Sequence, residues 1–253
     1  MIYSPSRVLR PRRHPEDTDV VAADLPVSDP GQERVRELRL SALLVCLLLL
    51  IFVLTPLVEQ RLIGQLAASV LWWALPCVLA VLVVSKHPAA VVVILAATAA
   101  GLATAILDRS SVLSAAVARI SAVVAFAVLG GIIARAVFGP GRVTWHRVQG
   151  GVALYLIVAL LFAHLYGLLA VLVPEAFSNV PIGLNPHSVF FRGRLLYFSL
   201  ATLTTTGYGD IVPLHVVGRS LATLEAIIGQ LFPATLLARL VTLELQGRPS
   251  DQR

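Results

Sequence analysis

Charge is scarce in this chain, and so are the residues on which small secreted or metal-holding domains depend. Only 13% of its 253 residues are charged, too few to cover a soluble surface of ordinary make-up. Its two cysteines, Cys46 and Cys77, both fall in apolar runs. They do not imply a disulfide framework and read as packing residues. There is no glycine-rich phosphate loop, metal-ligand cluster or catalytic triad, so no residue set supports enzyme activity and no cofactor is expected.

What is present is apolar. The chain is 57% hydrophobic with a mean hydropathy of +0.85. Runs of about 20 apolar residues each match the thickness of a bilayer core. Six such spans are predicted, at about 40–58, 65–85, 88–107, 112–137, 149–173 and 214–243. The first forty residues differ: they are polar, rich in Arg and Pro, and lack an apolar stripe. So little apolar surface does not offset the entropy of folding, and a disordered tail is expected there. The first apolar run starts late and no small-residue cleavage site follows it, so the first span is expected to stay as an anchor rather than leave as a signal peptide.

A net charge of +6 would suit nucleic acid, but its distribution does not. Arg7, Arg10, Arg12, Arg13, Arg34, Arg36 and Arg39 precede the first span, and Lys86 separates the second and third. Arg135, Arg142 and Arg147 flank the link between the fourth and fifth, and Arg239, Arg248 and Arg253 close the chain. The opposite side carries Arg61, Arg109, Arg192 and Arg194. This is the positive-inside asymmetry. It predicts a multi-pass protein of the cell (inner) membrane with both termini cytoplasmic. A contact between the basic tail and anionic lipid is the secondary reading of the same arginines.

Between the fifth and sixth spans lies Thr205-Thr206-Gly207-Tyr208-Gly209-Asp210. Before it, residues 174–193 hold three prolines, two glycines and two asparagines, a composition suited to an exposed turn region. Leu195 to Thr204 is apolar but too short to span. It suits a re-entrant helix, which is tolerated at membrane depth only when buried in protein or lining water. The C-terminal end of that helix would turn negative dipole toward a cation. Backbone carbonyls of Thr205, Thr206, Gly207 and Tyr208, with the hydroxyl of Thr205, can replace the water shell of K+. Successive carbonyls aimed one way need backbone angles that glycine tolerates, which accounts for Gly207 and Gly209. Tyr208 would face away from the ion and hold the loop open, and Asp210 would attract cations at the outer mouth. Three outward crossings put this loop outside, the orientation the arginines give independently.

Residues 149–245 resemble the pore domain of tetrameric potassium channels. Tyr197-Phe198-Ser199, the T-T-G-Y-G-D loop, Pro213, Gly218-Arg219 and Gly229 fall in that family's order without gaps. The six-span layout is similar to bacterial members, and nineteen arginines against one lysine hint at a GC-rich bacterium. The resemblance implies a selectivity filter and a homotetramer, since one loop supplies a quarter of an ion cage. Two positions depart from the family. Thr206 stands where valine or isoleucine is usual. Ala201 stands where some bacterial members place a glutamate that partners the aspartate, here Asp210.

In the sixth span, Pro233 removes the hydrogen bond to the carbonyl of Gly229, so the two residues weaken one rung and read as a gating hinge, or else as a static kink. Gln230, Leu237 and Val241 share a face, which the resemblance makes the cavity lining. Glu225 and His164 lie near mid-membrane, where charge is costly. They either contact each other or, as the preferred reading, bond separately. The fourth span carries only Arg119 in its body and Arg135 at its end, too few for steep voltage sensing.

The expectation is therefore an all-α membrane protein of six transmembrane helices, with a re-entrant pore helix and filter loop between helices five and six. Residues 1–39 would form a disordered cytoplasmic tail, 40–138 a four-helix module without a voltage-sensor pattern, 149–245 the pore domain, and 246–253 a short cytoplasmic tail. The expected function is passive, potassium-selective conduction. Its alternatives are a weakly selective cation channel, invited by Thr206, and a non-conducting channel-like subunit.

Overall fold

The computed structural model describes residues 41–60, 64, 70–71, 88–107, 111–139, 145–180 and 188–246. The expected tail 1–39, most of the second span at 65–85, and residues 247–253 lie outside the described residues. Everything described that belongs to a regular element is helical.

The first helix, α1, runs without a break through residues 41–49, a π-helical turn Leu50–Leu54 and Thr55–Glu59. The wide turn has a local cause. Thr55 turns both its backbone N–H and its hydroxyl onto the Leu50 carbonyl, and Pro56 has no N–H to offer the carbonyl one turn back. Helix α2, Pro88–Leu107, starts on a proline, whose missing N–H costs nothing at a first position. Helix α3, Val112–Phe138, is capped by Ser111, whose hydroxyl accepts from the N–H groups of Leu113 and Ser114. Helix α4 is Trp145–Leu172.

Helix α5, Val189–Leu203, begins several residues before the expected Leu195. Ser188 caps it by accepting the N–H of Phe191, which draws residues 189–194 into the helix. Its 15 residues reach about 22 Å, short of the ~30 Å hydrocarbon core. Helix α6, Val216–Gln246, follows the bridge between Phe177 and Pro213 and continues through Pro233.

Among the described residues, three helices are long and apolar enough to cross a membrane: Val112–Phe138, Arg147–Leu172 and Val216–Arg239. Ser41–Leu57 and Pro88–Thr104 are shorter apolar helices. Buried residues of α3 recur every three or four positions, at Ala115, Ala118, Ala122, Phe126, Leu129, Ile133 and Val137. From Ala118 onward that stripe meets Leu43, Leu47 and Leu50 of α1, Ile94 of α2, and Ala153, Leu154, Ile157 and Leu160 of α4 in one core. A second core surrounds α5. Phe162, Tyr166 and Leu169 of α4, Phe177, and Phe191, Leu195 and Phe198 of α5 fill it. The aromatic rings meet edge to face, with Tyr166 and Phe198 centroids 4.9 Å apart. Helix α5 is thus seated in a rigid aromatic socket.

Candidate ion-conduction site

The end of α5 dictates the loop that follows. A helix leaves its last carbonyls without donors, and here the loop supplies them. The N–H of Thr204 donates to Leu200, that of Thr205 to Thr202, and those of Thr206 and Gly207 both to the Ala201 carbonyl, at 2.9 and 3.1 Å. The loop's donors are drawn toward α5. Among the described residues, no backbone N–H donates to the carbonyls of residues 205–209.

The backbone angles alternate. Thr205 has φ 56°, Gly207 55° and Gly209 77°, while Thr206 and Tyr208 are not in the positive region. A Cβ at Gly207 or Gly209 would meet nothing within 4 Å of this chain, so φ rather than space calls for glycine there. Thr205 is β-branched, and its left-handed backbone stores strain on the order of 1–3 kcal/mol. Its hydroxyl donates to the Thr204 carbonyl at 2.7 Å, and the Gln230 side-chain amide donates to that hydroxyl at 2.6 Å. Thr206 does not present a free hydroxyl behind the loop, since its Oγ1 lies 2.8 Å from that of Thr204.

The end of the loop farthest from α5 is braced from the side. Tyr208 stacks on Tyr197, with ring planes 7° apart and centroids at 6.1 Å. Asn179, itself at φ 55°, donates its amide to the Asp210 carbonyl at 2.6 Å. Ser178 exchanges two bonds with Val212, its N–H donating to the Val212 carbonyl and its hydroxyl accepting the Val212 N–H. The segment after Pro174 thus clamps the far end of the loop.

On α6, Gln230, Leu237 and Val241 are exposed in the single chain. Gln230 is joined to the loop through Thr205, and Leu237 and Val241 lie further along the helix. Gly229 has a structural role that the hinge reading did not anticipate: a Cβ there would overlap the carbonyl oxygen of Leu203, the last residue of α5. The same carbonyl accepts the Tyr155 hydroxyl at 3.0 Å, so it is pinned against α6. Helix α6 stays helical through Gly229 and Pro233.

Glu225 and His164 are not brought together. His164 Nδ1 lies 3.5 Å from Arg119 Nη1 and its ring stacks on Phe126. Arg119 is buried, lies over the Phe191 ring at 5.3 Å and packs against Gly167. It therefore bridges α3 to the start of α5. Glu225 instead meets Tyr166 and Ser199. Tyr155, Tyr166 and Tyr197 carry much of this scaffolding, and sequence reading passed over their roles. Their one signal was a polar group inside an apolar run, which calls for a partner. At the other end of α6, Arg239 and Arg147 both donate to the Gly139 carbonyl, at 3.0 and 2.9 Å, and Arg239 lies over the Phe138 ring.

Residues 154–245 match the family model described as "Ion channel". Among curated proteins, Protein LctB of Bacillus caldotenax is 36% identical over 87 residues, covering 34% of this chain and 64% of the relative. Protein LctB of Geobacillus stearothermophilus is 32% identical over 80 residues, covering 32% of this chain and 59% of the relative. In both cases the match spans less than two thirds of the relative's length. No solved structure matches the chain. Residues 154–245 thus resemble an ion-channel domain, in a chain whose described helices include three apolar enough to cross a membrane.

Proposed function

We propose that this chain is the subunit of a homotetrameric, potassium-selective channel that conducts K+ passively across the cell membrane. The observation that carries the reading is positive φ at every second residue, Thr205, Gly207 and Gly209. An extended strand turns successive carbonyls to opposite sides. Alternating left- and right-handed residues turns them to the same side, which is what a carbonyl cage for K+ needs. With the loop's N–H groups drawn back onto α5, the carbonyls of Thr205, Thr206, Gly207 and Tyr208 are left to the ion.

The tetramer is supported by what the single chain leaves uncovered. Within Val216–Arg239 only 11% of the most apolar stretch is buried, against 61% within Arg147–Leu172. A helix of this kind gains by packing against copies of itself around an axis, and one loop provides one quarter of each ion site. Gln230 then rings the inner entrance, and Leu237 and Val241 form the apolar constriction below it. Gly229 and Pro233 serve as the hinge. The weakly selective alternative rests on Thr206, whose hydroxyl is occupied by Thr204 and so leaves the cage as it is.

The test is K+ against Na+ flux in liposomes holding the purified protein, with barium as blocker and Gly207→Ala as control. Barium-sensitive flux that favours K+ and is lost in the variant supports the reading. Equal Na+ flux, or no flux from an intact tetramer, refutes it.

A further inference from the structure

The most deeply buried polar side chains do not face the conduction path. Tyr166 of α4, Ser199 of α5 and Glu225 of α6 each have a relative exposure of 0%, and they meet where the three helices cross. Tyr166 Oη lies 2.5 Å from Glu225 Oε2. Ser199 Oγ lies 2.5 Å from Glu225 Oε1 and 2.7 Å from the carbonyl oxygen of Ala159, back on α4.

Three oxygen–oxygen contacts at these distances require three protons. Tyr166 brings one, Ser199 brings one, and a backbone carbonyl brings none. An ionised carboxylate also brings none. Ser199 would then face two pure acceptors with a single proton, and one of its contacts would be two bare oxygens in repulsion. We infer that Glu225 is held as a neutral carboxylic acid and acts as the positioning residue for the filter. Its O–H donates from Oε1 to Ser199 Oγ, the Ser199 O–H donates to the Ala159 carbonyl, and the Tyr166 O–H donates to Oε2. Each donor is then used once and each acceptor is filled.

Solvation argues the same way. A carboxylate at mid-membrane is costly unless a cation pairs with it. Among the described residues, the titratable groups that face Glu225 are Tyr166 and, farther off, Tyr155, both on α4. Helix α5 presents only the Ser199 hydroxyl. Arg119 and His164 gather in a separate cluster on α3 and α4, and Arg192 stands near the start of α5.

The closed circuit Ala159–Ser199–Glu225–Tyr166 fixes the depth and rotation of α5 against both long helices. Ser199 sits two residues before Ala201, whose carbonyl holds the N–H groups of Thr206 and Gly207. The proton on Glu225 thereby sets the height of the filter. This consequence rests on the potassium-channel reading, whereas the protonation itself does not.

Two arms test it on the full-length protein. Infrared spectra at neutral pH are expected to carry a protonated-carboxyl band that vanishes in Glu225→Gln. In liposomes Glu225→Gln keeps the wild-type preference for K+ over Na+, because an amide N–H donates to Ser199 and its carbonyl accepts from Tyr166. Glu225→Ala and Ser199→Ala each break two bonds of the circuit and lower that preference by at least about fivefold, the effect of one hydrogen bond. Wild-type flux falls as pH is raised into the alkaline range, and the Gln variant does not follow it. The inference is overturned if no acid band belongs to Glu225, or if Glu225→Gln is as impaired as Glu225→Ala. A wild-type protein that does not distinguish K+ from Na+ would sink the channel reading, and the infrared band would still decide the proton.

Discussion

Gly229→Ala separates two accounts of helix α6. In the structure a methyl group at this position falls on the Leu203 carbonyl oxygen. That oxygen is backbone, so no rotamer change relieves the overlap. It also ends α5, is bonded to Tyr155, and lies one turn from the residues that hold the loop's N–H groups. Relief therefore requires α5 and α6 to move apart. Overpacking of this kind costs about 1–3 kcal/mol, and for a chain of this size that corresponds to a melting point lower by roughly 2–12 °C. Thermal unfolding of the detergent-purified protein measures it directly. Pro233→Ala is expected to act in the opposite sense, because residue 233 regains an N–H for the Gly229 carbonyl. If Gly229 were only a hinge, Gly229→Ala would melt like the wild type and change opening alone. A Gly229→Ala protein with unaltered melting would refute the packing argument, and one with lower melting but normal opening would remove the hinge.

Gln230→Leu removes the amide that donates to Thr205 and is expected to shift half-blocking barium by about fivefold, measured by flux titration; no shift would disconnect α6 from the innermost site. Tyr197→Leu removes the ring stacked on Tyr208, so sustained K+ flux is expected to decay faster; an unchanged time course would refute a bracing role for Tyr197. Arg239→Leu and Arg147→Leu remove two donors to one carbonyl. Their destabilisations, each about 1 kcal/mol, are expected to be non-additive in a double-mutant cycle; simple additivity would mean that the Gly139 contact is not shared.

Much of the helical framework was legible in the residues. The expected spans at 112–137, 149–173 and 214–243 correspond to Val112–Phe138, Trp145–Leu172 and Val216–Gln246, because sustained apolar runs have few alternatives to a helix. The start of α5 was placed late. Val189 to Arg194 mixes arginines with phenylalanines, and only the Ser188 cap and the burial of Phe191 and Arg192 make it helical. For Glu225 and His164, sequence reading located two buried polar groups but offered two pairings, since spacing along one helix says nothing about what a neighbouring helix presents.

By itself the sequence determined which segments are apolar enough for membrane helices, where glycine is required in the loop, and that the loop has the residue types for a K+ cage. Those properties are local: hydropathy, backbone freedom and side-chain chemistry belong to each residue wherever it ends up. The tertiary structure alone decided what holds the loop in shape. Tyr155, Tyr166, Tyr197 and Gln230 each find a partner at least eleven positions away, and Gly229 owes its lack of a side chain to a carbonyl on another helix. Contacts of that kind depend on how helices cross, and crossing is set by the packing of whole faces rather than by any one residue's chemistry.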